Sequence, residues 1–241
     1  PVARPVSYRI LLAVHISVPG VRFLTMDVSQ AYLSTEMKRK VFVGHPPGYK
    51  FWWSTHHGLT YTPLQQGERA PKTVLPLLRA LYGGRECGRL FYEKYVAFHT
   101  DFGFSQSVYD RCLLTFTAKD GSFIKIVFHV DDSLVAYNGP ALWTKYITAF
   151  GRTFQYTQQP FTTFLGIQAK VDYKAKVIEI SMKLQIEKML RHFQMEDCNP
   201  VQTHMPITTP IPTNEDIPAD AATLARCKTE FDMRSFCGHL T

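Results

Sequence analysis

The chain has 241 residues, room for one large domain or two small ones, and 45% of them are hydrophobic, which excludes a disordered chain. Twenty-seven Lys and Arg against 20 Asp and Glu leave a net charge of +7, a balance that favours an anionic partner, nucleic acid foremost. The five cysteines (Cys87, Cys112, Cys198, Cys227 and Cys237) contain no C-x-x-C pair and read as reduced thiols of an intracellular protein, and neither a secretory signal nor an apolar run of membrane-spanning length is visible.

Residues 7–17 carry apolar side chains at helical spacing (Ile10, Leu11, Val14, Ile16), and 21–27 read as a strand ending at Asp27. Ser29 is a candidate N-cap for a helix over 29–37. A short strand at 41–43 stops at His45-Pro46-Pro47-Gly48. The stretch 50–72, with Trp52, Trp53, Pro63, Gly67 and Pro71, reads as an irregular insertion. Helices are predicted over 74–82 and 88–102. Strands over 112–117 and 123–130, joined at Asp120-Gly121, form one hairpin, and the strand after Asp132 forms a second. A helix over 140–151, strands over 163–171 and 176–181, and an amphipathic helix over 183–194 (Leu184, Ile186, Met189, Leu190, Phe193) complete the ordered pattern.

The charge then changes sign. Residues 151–195 hold seven Lys or Arg against three acids, whereas 196–220 hold five acids, no Lys or Arg, and five prolines, a linker composition. Residues 221–241 read as helical. Boundaries are therefore placed near 150 and 196. Helices interleaved with antiparallel hairpins predict an α+β fold, an antiparallel sheet with helices on one face.

Chemistry concentrates on three acids. The apolar run Phe123-Ile124-Lys125-Ile126-Val127-Phe128-His129-Val130 rises to Asp131-Asp132, and a second apolar run leaves them. Adjacent carboxylates cost folding energy unless a cation neutralises them, and an all-oxygen donor set suits Mg²⁺. With Asp27 at another strand end, three carboxylates can hold two metals for an in-line phosphoryl transfer. Taken alone, Asp-Asp at a strand end is also an ordinary turn, Asp27 an ordinary acid at a helix N-terminus, and Tyr32, five residues on, an ordinary core tyrosine. The histidines His45, His56, His57 and His99 show no zinc-finger spacing and read as surface or core residues.

Nearly the whole chain carries, in order, the segments Pro1-Val2-Ala3-Arg4, Met26-Asp27-Val28-Ser29-Gln30-Ala31-Tyr32-Leu33, Pro47-Gly48-Tyr49, Ala80-Leu81-Tyr82-Gly83-Gly84-Arg85-Glu86-Cys87-Gly88-Arg89-Leu90-Phe91, Phe104-Ser105 through Asp110-Arg111-Cys112-Leu113, and His129-Val130-Asp131-Asp132. Together they resemble the reverse transcriptase of copia-type retrotransposons, which has Tyr-Val-Asp-Asp at the last of them. Phe164-Leu165-Gly166-Ile167 is similar to the primer-grip strand, and Met195 to Pro206 to the segment between thumb and connection.

The resemblance implies a right-hand polymerase palm with partial fingers and thumb. It divides the chain into partial fingers and palm (1–150), palm end, primer grip and thumb start (151–195), and an acidic Pro-rich linker with a truncated connection helix (196–241). It implies RNA-directed DNA polymerase activity, nucleotidyl transfer from deoxynucleoside triphosphates to a primer 3′ end on an RNA or DNA template. Asp27 and Asp131 would bridge two Mg²⁺ ions, with Mn²⁺ able to substitute. Asp132 would support the primer-side metal and the Val28 carbonyl the nucleotide's metal. Tyr32 would lie under the sugar ring, and Arg85 and Glu86 beside the incoming nucleotide. His129, Val130, Phe164, Leu165 and Gly166 would touch primer and template. Lys183, Lys188 and Arg191 would face duplex phosphates, the alternative being a solvated helix face. Further partners would be integrase and ribonuclease H domains of a polyprotein, with no membrane, in cytoplasmic virus-like particles and the nucleus.

Three positions depart from the family pattern. The Lys/Arg-rich fingers strands would lie before Pro1. Gly83-Gly84-Arg85-Glu86 stands where the family reads Gly-Leu-Lys-Gln, so Glu86 adds negative charge beside a triphosphate unless Arg85 offsets it. His129 replaces Tyr. A catalytically inactive remnant that keeps the palm fold and at most binds nucleic acid is therefore the alternative reading. A metal-dependent nuclease or integrase, whose acids are dispersed one per segment, is a third.

Overall fold

The structure, a computed structural model, describes residues 2–45 and 74–199. The insertion expected over 50–72, the linker beyond residue 199 and the helix expected over 221–241 lie outside them. Two compact units divide the chain, Pro1–Thr162 with Val171–Ile178, and Thr163–Lys170 with Glu179–Thr241.

The apolar runs of the sequence become the centre of an antiparallel sheet in the first unit. Its strands are β1 (Arg22–Val28), β4 (Ser105–Gln106), β5 (Leu113–Thr117), β6 (Phe123–His129), β7 (Asp132–Asn138) and β8 (Tyr156–Pro160), in the spatial order β4-β5-β6-β7-β1-β8. Strands β2 (Phe42–Gly44) and β3 (Val74–Pro76) form a separate antiparallel pair.

Residue parity separates the two faces of the large sheet. Ile124, Ile126 and Phe128 of β6 stand opposite Tyr137, Val135 and Ser133 of β7, which stand opposite Arg22, Leu24 and Met26 of β1. Helices α2 (Cys87–Phe102) and α3 (Pro140–Thr153) cover this face. The α2 residue Tyr95 packs on Phe128 at 4.7 Å, and Trp143 of α3 stacks on Tyr137 at 4.4 Å. Between the helices lies an aromatic cluster, with Phe98 against Phe150 at 5.4 Å and Phe150 against Phe154 at 4.9 Å. The opposite face carries Phe123, Lys125, Val127 and His129 beside Ala136, Leu134 and Asp132. Helix α1 (Pro5–His15) packs on β6 and β7 with His15 against Phe123 at 5.1 Å, so it lies over this second face.

Helices therefore lie on both faces, not on one as the sequence predicted. The cause is in the strands. Val127 and Leu134 on one face are as fully buried as Ile124, Ile126 and Val135 on the other, so both faces need an apolar cover.

Two predicted helices are replaced. Over 74–82 the chain forms β3, because Pro76 pushes Leu75 out of the helical region and Phe42-Val43-Gly44 supplies a strand partner. Over 29–37 only a single 3₁₀ turn forms, Tyr32–Ser34. Ser29 is no N-cap there. Its N–H continues the sheet by donating to the Gln155 carbonyl at 2.9 Å, and Gln30 then leaves at φ 52°. The strand expected over 163–171 is broken into β9 (Thr163–Phe164) and β10 (Ile167–Asp172) by a turn at Leu165-Gly166. β11 (Val177–Ser181) and α4 (Lys183–His192) follow. Among the described residues no helix is long and apolar enough to cross a membrane, and Cys87, Cys112 and Cys198 are free thiols.

Candidate active site

Backbone pairing brings the three acids together. Asp27, next to last in β1, is the register partner of Asp132, first in β7. The Val28 N–H donates to the Asp131 carbonyl at 3.1 Å, one residue beyond that pair. In an antiparallel ladder this marks Asp27 and Asp132 as a non-hydrogen-bonded pair, the kind whose Cα atoms approach to about 4.5 Å with side chains on one face. His129 pairs with Asp132 across the hairpin and shares that face.

Asp131 occupies the second position of a two-residue turn between β6 and β7. Val130, the first, has φ 59°, and Asp131 does not share a positive φ. This is the pattern of a type II′ turn, in which Gly is favoured first. A β-branched residue there stores on the order of 1–3 kcal/mol of backbone strain, which persists only where surrounding structure imposes it.

The acids repel one another. Burial, then the charge of Asp131, pushes the Asp27 carboxyl above its ordinary value. Burial, then Asp131 and Asp27, pushes Asp132 up, against a smaller opposing pull from His129. The donor set is hard oxygen and its repulsion is what a divalent cation relieves, so the residues fit Mg²⁺ in chemistry. Their side chains are not closed into a cage: among the described residues no group of three or more His, Cys, Asp or Glu side chains is arranged to hold a metal ion. Among the described residues, His129 Nδ1 is buried without a hydrogen-bond partner.

Tyr32 follows on the 3₁₀ turn after β1. Its ring packs on Tyr82 at 4.6 Å and edge-on to Phe91 at 6.3 Å. Burial, then the charge of Asp131, raises its phenol pKa. Glu86 precedes α2 and makes an ion pair with Arg39, Nε to Oε2 at 2.8 Å. Both line a cleft of about 380 Å³ with Tyr82 and Arg85. Glu86 thus has a cationic partner in Arg39, inside a Lys38-Arg39-Lys40 run that no local pattern singles out. Tyr82, likewise, is a neighbour of Tyr32 that spacing alone does not reveal.

The remaining candidates lie in the second unit. Phe164 pairs with Ile167, and both Leu165 (φ 49°) and Gly166 (φ 78°) lie in the left-handed region, which makes a type I′ turn. Gly166 is there for its φ, with the Gln185 side chain 3.7 Å from where a Cβ would stand. Lys183, Lys188 and Arg191 are exposed on α4. Lys183 and Arg191 each stand 3.8 Å from Glu187, so the basic face is partly neutralised within the helix.

Comparison with known proteins returns the same family as the motifs. The family model described as reverse transcriptase (RNA-dependent DNA polymerase) matches residues 1–208. The retrovirus-related Pol polyprotein from transposon TNT 1-94 of Nicotiana tabacum is 22% identical over 204 residues, covering 84% of this chain and 14% of its own length. Those from transposons RE1 and RE2 of Arabidopsis thaliana are 26% and 25% identical over 206 residues, each covering 85% of this chain and 13% of its own length. The chain thus spans about one-seventh of these relatives.

Proposed function

Because the chain belongs to the reverse transcriptase (RNA-dependent DNA polymerase) family, in its copia-type branch, we propose that it is the polymerase portion of a retrotransposon Pol polyprotein and extends a primer 3′ end on an RNA or DNA template. The observation that carries this reading is the pairing of Asp27 with Asp132 across two central strands, beside Asp131 on a strained turn. In this proposal the large sheet with α2 and α3 is the palm, residues near the N-terminus are partial fingers, and α4 begins the thumb.

Asp27, Asp131, Asp132 and the Val28 carbonyl would hold two Mg²⁺, with Mn²⁺ able to substitute; when bound, the ions activate the primer hydroxyl and neutralise the leaving pyrophosphate. Tyr32 would lie under the sugar ring, where its bulk would exclude a 2′-hydroxyl. Arg85 would offer a cation to the triphosphate, and Arg39, 2.8 Å from Glu86, would offset part of the charge that Glu86 brings there. His129, Val130 and the Phe164-Leu165-Gly166 turn would meet the primer, and Lys183, Lys188 and Arg191 the duplex backbone. Integrase and ribonuclease H domains of the same polyprotein are the proposed neighbours, and virus-like particles and the nucleus the proposed locations.

The test is extension of a primed RNA template in Mg²⁺. Asp131→Asn abolishes extension while circular dichroism and melting show an intact fold. Extension by the variant at the rate of the unaltered chain overturns the reading.

A further inference from the structure

Helix α2 reaches the acid-bearing hairpin through one side chain. Tyr95 is fully buried, and its ring packs on Phe128 at 4.7 Å. Its hydroxyl is 2.9 Å from the Ser133 Oγ. Phe128 and Ser133 are not independent targets. They are cross-strand partners, one step inside the His129–Asp132 pair that closes the turn. Ser133 is also the register partner of Met26, the residue before Asp27. A single phenol therefore touches both strands of the hairpin below the turn, one residue inside Asp132.

Ser133 is 1% exposed, on the sheet face it shares with its apolar neighbours Ile126, Val135, Leu24 and Met26. A hydroxyl in that layer costs stability unless it is hydrogen-bonded, and a β-branched apolar residue would suit the strand better. The segment of α2 that carries Tyr95 is itself anchored. The Tyr95 carbonyl accepts a hydrogen bond from His99 Nδ1 at 2.7 Å, and His99 Nε2 accepts one from the Tyr146 hydroxyl of α3 at 2.9 Å. The grip on the hairpin is thus continuous with the packing of both helices.

We propose that Tyr95 is a positioning residue for the carboxylates. By holding the Phe128–Ser133 pair it fixes the Val130-Asp131 turn in its strained conformation and sets where Asp131 and Asp132 stand against Asp27. The role of the acids rests on the polymerase reading; the grip on the turn does not.

Two measurements on the full chain separate these. The first is amide hydrogen exchange over residues 128–134. The second is Mn²⁺ binding followed by electron paramagnetic resonance, with melting temperature recorded alongside. Tyr95→Phe keeps the ring and loses the hydroxyl. It is expected to raise exchange at the turn and weaken Mn²⁺ binding, each by about fivefold, the equivalent of one hydrogen bond. Tyr95→Phe with Ser133→Ala removes both partners and is expected to recover melting temperature without recovering turn protection or Mn²⁺ affinity. The proposal is overturned if Tyr95→Phe lowers melting temperature with no change in turn exchange, or if the double variant recovers turn protection along with stability, since either result reduces the contact to an ordinary buried hydrogen bond. Mn²⁺ binding by Asp131→Asn as tight as that of the unaltered chain sinks the carboxylate reading, while the exchange result still decides the grip.

Discussion

Asp132 shows how a functional residue opposes its own fold. Standing opposite Asp27 in a close cross-strand pair, it places like charges side by side, an arrangement that costs about 0.2–1 kcal/mol in a sheet. Burial and the neighbouring acids raise its folded pKa, so this cost is fully present above the folded value and vanishes below the unfolded one. Asp132→Asn is therefore expected to stabilise the metal-free protein at pH 7, by roughly 1–3 °C in melting temperature, and to leave it unchanged near pH 3. Added Mg²⁺ should raise the melting temperature of the unaltered chain and do so less in the variant. Equal melting at both pH values without metal would show that the acids do not repel. At this scale the sequence was legible where the chemistry is local. Two adjacent Asp at the end of an apolar run announce a turn and a charge problem together. The pairing of Asp27 with Asp132 depends on strand register, and that Arg39 answers Glu86 depends on folding across 47 residues, which no local pattern encodes.

Elements were legible in proportion to how far their own residues decide them. Helices α1, α2, α3 and α4 and the central strands follow from apolar periodicity, and their bounds fall within a few residues of those predicted. The misreadings lie where tertiary partners decide. β8 was not predicted because Tyr156-Thr157-Gln158-Gln159-Pro160 is polar, as a sheet edge allows; its partner β1 makes it a strand, with Thr157 opposite Asp27. Asp110 makes the same point for α1. The sequence placed it in a family motif without a role, and it proves to tie down a distant helix. Its carboxylate, 6% exposed, accepts hydrogen bonds from the Arg4 N–H at 3.0 Å, the Ser7 hydroxyl and the Cys112 N–H at 2.9 Å. Burial acts to raise the Asp110 pKa, yet these bonds outweigh it and hold the carboxyl below its ordinary value. The stabilisation is thus present above the unfolded pKa and lost as pH falls through the folded one. Asp110→Ala is expected to cost about 2–4 kcal/mol at pH 7 by chemical denaturation, and to release α1, seen as faster exchange over residues 5–15. Unchanged protection of α1 would show that its packing on β6 and β7 suffices.

At the scale of the whole molecule, stability is tied to pH through the aromatic layer between the helices and the sheet. His99 is fully buried there, between the Tyr95 carbonyl and the Tyr146 hydroxyl. The Tyr95 carbonyl can only accept, so Nδ1 carries the proton, and in the neutral ring Nε2 then accepts from the Tyr146 hydroxyl. Burial depresses the His99 pKa to about 4, against a smaller upward pull from the Tyr95 carbonyl. A histidine with a depressed folded value costs nothing above the unfolded pKa near 6.5. As pH falls below that, the unfolded chain takes up a proton that the folded chain refuses, and stability declines until about pH 4. The decline attributable to His99 is on the order of 3 kcal/mol. His15, also depressed by burial, acts in the same direction, whereas Asp27 and Asp132 oppose it at the acid end. The contribution of His99 is read as a difference between curves. His99→Phe leaves the Tyr146 hydroxyl without its acceptor and should be less stable at pH 7, but its denaturation free energy should fall less steeply than that of the unaltered chain between pH 6.5 and 4. Parallel curves would mean that His99 is protonated in the folded core, and with it the Tyr146-to-Tyr95 chain of bonds that anchors α2 would have the wrong donors.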